Sequence, residues 1–145
     1  MKTLLKIAYL LVAVLTVNAC KNGSDLFGGH HSPIVDTLKF KDGDVANVAY
    51  EMDDFINEEL KADKDIDSYS SSDKDALVKK LKAEMDGLKI KIDSATSKLS
   101  LAVSKLPRND AAAGTPEAKE YFKWLKFLSE ESKKADSVKN KSLQF

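Results

Sequence analysis

SDKDALVKKLKAEMDGLKIKIDSATSKLSLAVSKLP, residues 72 to 107, places apolar or small side chains at Val78, Leu81, Met85, Leu88, Ile92, Ala95, Leu99, Ala102 and Leu106. The intervals alternate between three and four residues without a break, which is the heptad seam of one long α-helix. Ser72 suits the N-cap, Asp73 and Asp75 fall where the helix dipole favours negative charge, and Pro107 stops the helix at Leu106. A helix of this length rises about 50 Å at 1.5 Å per residue. Its stripe is widened by Leu77, Ile90 and Val103, so it calls for partner helices lying alongside.

Downstream, Arg108 to Gly114 is short and turn-like, and the next helix is expected to return antiparallel. Thr115-Pro116-Glu117 starts it with a cap, a proline at the first helical position and an acid in the first turn. Its expected buried stripe is Ala118, Tyr121, Phe122, Leu125, Leu128, Ser132 and Ala135, with Trp124 and Phe127 beside it. The run Tyr121 to Leu128 is apolar over more than one face. It reads either as core or as a binding patch made of Tyr121, Lys123, Trp124, Lys126 and Phe127, since exposed aromatic groups mark interfaces. Beyond Ala135 only Val138, Leu143 and Phe145 remain as large apolar side chains, and the end is expected to fray.

Upstream, Asp42-Gly43-Asp44 announces an earlier helix, with Asp44 read as the N-cap. Val45, Val48, Ala49, Met52, Phe55, Ile56 and Leu60 recur at helical period, while Glu51, Asp53, Asp54, Glu58 and Glu59 fall on the remaining, solvated face. Ile34, Val35, Leu38 and Phe40 suggest a short turn before it. Between Asp63 and Ser72 the pattern lapses into a loop. There Asp63, Asp65 and Asp67 take positions 1, 3 and 5 of a calcium-loop spacing, with Ser71 at 9. Ser68 stands where that loop needs glycine and Lys74 where it needs a bidentate glutamate, so the three aspartates are weak metal candidates against a plain acidic loop. The expected fold is all-α: a small three-helix bundle over 34–145 with a long central heptad helix.

The first residues read differently. Lys2 and Lys6 precede an uncharged run from Ile7 to Leu15, a basic region and apolar core of signal-peptide length and too short to span a bilayer. Thr16-Val17-Asn18-Ala19-Cys20 resembles a bacterial lipobox, with Val17 and Ala19 in the aliphatic and small positions before the single cysteine. The expected organisation is a signal peptide over 1–19, a lipidated flexible tether over 20–33, and the helical domain behind it. Two acyl chains on Cys20 amount to stable membrane anchoring, because each buried CH₂ contributes about 0.8 kcal/mol.

After removal of residues 1–19, 126 residues remain with 21 basic and 23 acidic side chains, a balance that does not favour nucleic acid. Charge is nonetheless segregated: 34–75 carries 13 acids and 5 bases, and 76–145 carries 15 bases and 9 acids. An acidic first helix beside basic later ones satisfies this, and so does a basic face turned to an acidic partner. His30 and His31 lie in the tether, and the sequence contains no glycine-rich phosphate loop, nucleophile elbow or zinc spacing. A non-enzymatic protein without cofactor is expected.

The basic signal ending in Ala19-Cys20-Lys21-Asn22, the polar tether and a helical body rich in Lys, Asp and Ser resemble the small outer-surface lipoproteins of Borrelia-type spirochaetes. At residue level the likeness covers about the first 25 positions. It implies anchoring in the bacterial outer membrane at the cell surface, and a virulence role in which the helical domain binds a host or partner macromolecule as an adhesin or immune-evasion protein. Alternatives are a periplasm-facing envelope lipoprotein with a structural or inhibitor role, and a calcium-binding helical module. The heptad seam also suits a homodimer.

Overall fold

The computed structural model describes residues 38–108 and 114–145. The expected signal peptide, Cys20, the tether with His30 and His31, and most of the turn before the third helix lie outside the described residues. Three helices form the body: α1 (Gly43–Asp65), α2 (Ser71–Ser104) and α3 (Pro116–Ala135), with a 3₁₀ turn at Ile66–Ser68 between the first two. Among the described residues there is no strand. The protein is an all-α three-helix bundle.

Capping chemistry sets the boundaries. Asp42, two residues before the expected cap, accepts hydrogen bonds at Oδ1 from the N–H groups of Asp44 (3.0 Å) and Val45 (3.2 Å). Its carboxylate satisfies two orphan donors at once, leaving Asp44 in the first turn. Ser70, not Ser72, caps α2 through Oγ and the N–H of Asp73 at 3.2 Å. Thr115 caps α3 through the N–H of Ala118 at 3.3 Å, with Pro116 opening the helix, as the sequence implies. The expected loop from Asp63 shrinks, because α1 continues to Asp65 and Ile66 is buried directly after it.

Cross-links between helices define an up-down-up bundle. Glu58 meets Lys80, Glu51 meets Lys91 and Asp44 meets Lys98, so α2 runs antiparallel to α1. The pairs Lys41 with Glu120, Asp53 with Lys134 and Asp63 with Lys139 advance together, so α3 runs parallel to α1. The α2 seam is buried at Leu81, Met85, Leu88, Ile92, Ala95 and Leu99 and only half-buried at Val78, Ala102 and Leu106. At 34 residues against 23 and 20 in its neighbours, α2 overruns the helices that cover it.

Two expectations are corrected. Asp53 and Glu59, assigned to the solvated face of α1, are buried, because α1 is flanked by both other helices and its covered arc is wider than an apolar stripe shows. The C-terminal segment, expected to fray, is packed. Val138 and Leu143 are buried, Phe145 rests on the core, and the N–H groups of Lys139 and Asn140 donate to the Asp63 carboxylate at 3.0 and 2.5 Å.

Candidate functional site

Helix α3 carries the residues expected to form a binding patch, and its rotation decides their fate. Trp124 and Phe127 have no exposed surface. The indole Nε1 donates to Thr96 Oγ1 on α2 at 2.8 Å, and Phe40 sets its ring edge-on to both, at 5.8 and 6.1 Å between centroids. These two aromatics are core and are withdrawn from the patch. Tyr121 is half-buried beside Phe122, and Lys123 is half-buried, 2.8 Å from Glu120 and 3.4 Å from the carbonyl of Lys39. Lys126 alone of the five is exposed.

Phe122 and Leu125, expected in the buried stripe, face solvent at 57% and 38% exposure. The covered arc instead takes in Glu120, Trp124, Phe127, Leu128, Glu131 and Ala135. A reading that keeps carboxylates out of the interior turns the helix the wrong way. Each keeps a lysine of α3 three residues on, Lys123 for Glu120 and Lys134 for Glu131, and each is met from another element, Glu120 by the Lys41 N–H and Lys134 by Asp53 of α1.

Those partners form an ion network between α1 and α3. Asp53 and Glu131 are both fully buried. Lys134 Nζ pairs with Asp53 Oδ1 and lies 2.8 Å from Glu131 Oε1, and Asn57 Nδ2 donates to Asp53 Oδ2 at 3.2 Å. Glu131 Oε1 keeps ion-pair distance without hydrogen-bonding geometry, and Oε2 has no partner. Burial pushes the Glu131 carboxyl up to about 7; Lys134 pulls it down and neighbouring Asp53 pushes it further up. Burial draws the Lys134 ammonium down, but the carboxylates of Asp53 and Glu131 outweigh it and hold the group above its usual value. One turn beyond Ile56, Glu59 is also buried with Oε2 unpaired, and burial together with Asp63 raises it to about 7. Carboxyl groups tuned to neutrality occur at acid–base centres and in structural ion networks alike. Here they are sealed between helices, where their chemistry is to gain or lose a proton inside the packing.

The three calcium candidates are not brought together. Asp63 spends both carboxylate oxygens on the backbone of Lys139 and Asn140, while Asp65 and Asp67 are exposed on the helix end and the 3₁₀ turn. A hollow of about 580 Å³ beside them is lined by Asp63 and Asp67 but also by Lys64 and Lys139, whose ammonium groups oppose a cation. Among the described residues no group of three or more His, Cys, Asp or Glu side chains is placed to hold a metal.

Part of the charge segregation is resolved within the bundle. Lys80 pairs with Glu58 at 2.5 Å, Lys91 with Glu51 at 2.5 Å, and Lys98 with Asp42 and Asp44. The acidic flank of α1 thus lies against the basic flank of α2. Comparison of the chain with protein-family models, with curated proteins and with solved structures finds no match. Among the described residues no helix is long and apolar enough to cross a membrane.

Proposed function

We propose that the protein is a lipid-anchored, non-enzymatic bacterial envelope lipoprotein that displays its three-helix bundle to bind a partner macromolecule. The observation that carries this reading is Val17-Asn18-Ala19-Cys20 at the end of a basic and apolar leader, followed by a polar stretch and then a helical body. A core built from all three helices, with its terminal segment packed down, suits a domain that stands alone on a tether. Anchoring removes the protein from free diffusion, and many copies on one surface turn modest contacts into avidity. Outward display at the cell surface is the favoured orientation, as the spirochaetal resemblance implies.

The test is the mass of the native protein together with its partition between detergent and water. A diacylglyceryl group on Cys20 and partition into detergent, both lost in Cys20→Ala, are expected; a free thiol in a water-soluble protein refutes the reading. Protease shaving of intact cells then decides orientation, with loss of the protein marking outward display and survival marking a periplasmic face.

A further inference from the structure

Lys80, Lys91 and Lys98 of α2 are paired with α1, and exposed lysines remain on α2, at Lys79 and Lys82, and on α3. Lys119 and Lys126 are exposed on α3, three residues before and four after Phe122, with Leu125 beside them. Residues so spaced share one helix face. Phe122 therefore projects, 57% exposed, from between two lysines. Neighbouring acids are already engaged: Glu120 is buried against Lys123 and the N–H of Lys41, and Glu130 pairs with Lys133 at 2.8 Å.

The same helix receives the incoming chain. Phe40 packs on Trp124 and Phe127, Lys41 N–H donates to Glu120 Oε2 at 3.1 Å, and Lys123 reaches the Lys39 carbonyl. This sets the exposed Lys39 and Lys41 at the edge of the α3 face. Seventeen residues separate Cys20 from Leu38, a length of chain whose random-coil span is about 20–25 Å. That is about two helix diameters, so a domain anchored at Cys20 is held close to its bilayer by the side on which α3 lies.

We propose that the outer face of α3, with Lys119 and Lys126 around Phe122 and Leu125 and with Lys39 and Lys41 at its edge, lies against the anionic headgroup surface of the membrane that anchors the chain. The inference rests on the lipoprotein reading for its geometry. Basic side chains beside an anionic leaflet each strengthen association about fivefold, and an interfacial aromatic ring adds apolar burial. Such a face orients the bundle and leaves the opposite side, where α1 and α2 meet, turned outward.

The test uses the chain from residue 20 onward carrying Cys20→Ser, so no acyl chain contributes, mixed with vesicles of phosphatidylcholine with or without phosphatidylglycerol. Co-sedimentation with the anionic vesicles only is expected, abolished near 1 M salt, where the screening length falls to about 3 Å. Lys119→Gln and Lys126→Gln should each weaken it about fivefold and Phe122→Ser should weaken it further. Lys79→Gln and Lys82→Gln on α2 should have less than half that effect. Absence of association at low salt, equal loss from the α2 controls, or retention on polyglutamate in place of vesicles overturns the inference, the last in favour of an acidic protein partner. The state of Cys20 is measured separately: a free thiol defeats the lipoprotein reading, whereas a lipidated Cys20 with no vesicle association defeats this inference alone.

Discussion

Against α2, helix α1 keeps its carboxylates at the rim, where Glu58, Glu51 and Asp44 stay partly in water as they meet Lys80, Lys91 and Lys98. Against α3 it carries Asp53 fully inside, to meet Lys134 and the equally buried Glu131. Rim pairs are screened and gain little, because two long side chains are ordered for a small Coulombic return. Buried groups have surrendered their hydration, so removing one partner leaves a charge with nothing to replace it. Two interfaces of one helix, using the same residue types, should therefore respond to mutation and pH on different scales.

The largest separation is expected from Lys134→Met. With the ammonium gone, Asp53 and Glu131 confront each other in the interior, and a loss of about 3–5 kcal/mol in urea unfolding near pH 8 should follow. A loss under 1 kcal/mol would mean that the interface opens and hydrates at little cost.

Next in size is pH. Glu131 and Glu59 stand near 7 in the folded protein against an ordinary 4.5. In the folded state they hold protons that the unfolded chain has released, so stability falls as pH rises from about 4.5 to 7. At about 1.4 kcal/mol per unit each group contributes at most on the order of 3 kcal/mol. Below that window the trend reverses, because Lys98 holds Asp42 below its usual value, while Glu120, although burial raises it, is held down by Lys123 and the Lys41 N–H. Melting temperature should thus peak on the acidic side of neutrality, and Glu131→Gln should flatten the fall between pH 5 and 8. A pH-independent melt over that range would contradict buried, unneutralised carboxyls.

A smaller change probes the third contact, between α2 and α3. Thr96→Val removes the acceptor of the Trp124 indole and should cost about 1–2 kcal/mol as an unsatisfied donor in the core. The smallest is Lys91→Met at the α1–α2 rim, expected at 0–1 kcal/mol and erased by high salt. Should Lys91→Met rival Lys134→Met in the same denaturant titration, the contrast between the two interfaces collapses.

How much was legible beforehand follows the same division. The α2 seam shows in sequence because every member of it is apolar and period alone selects a face, and six of its nine positions are buried. Thr115-Pro116 announces α3 because capping is local chemistry within four residues. The rotation of α3 was not legible: Phe122 and Leu125 are as apolar as Trp124 and Leu128, and the choice turns on Glu120 and Glu131 going inside. Of the expected binding patch, only Lys126 is fully available, and Phe122, the most exposed apolar side chain of α3, belongs to the stripe that the sequence period marks as buried.

Local pattern was enough for the number of helices and their approximate limits, since caps and periods are properties of neighbouring residues. Which carboxylates are buried, which aromatic rings stay outside, and where the terminal segment docks were settled only by the assembled bundle. A buried charge is tolerated when its partner arrives from a helix some eighty residues away, as Lys134 does for Asp53, and no window of sequence contains both.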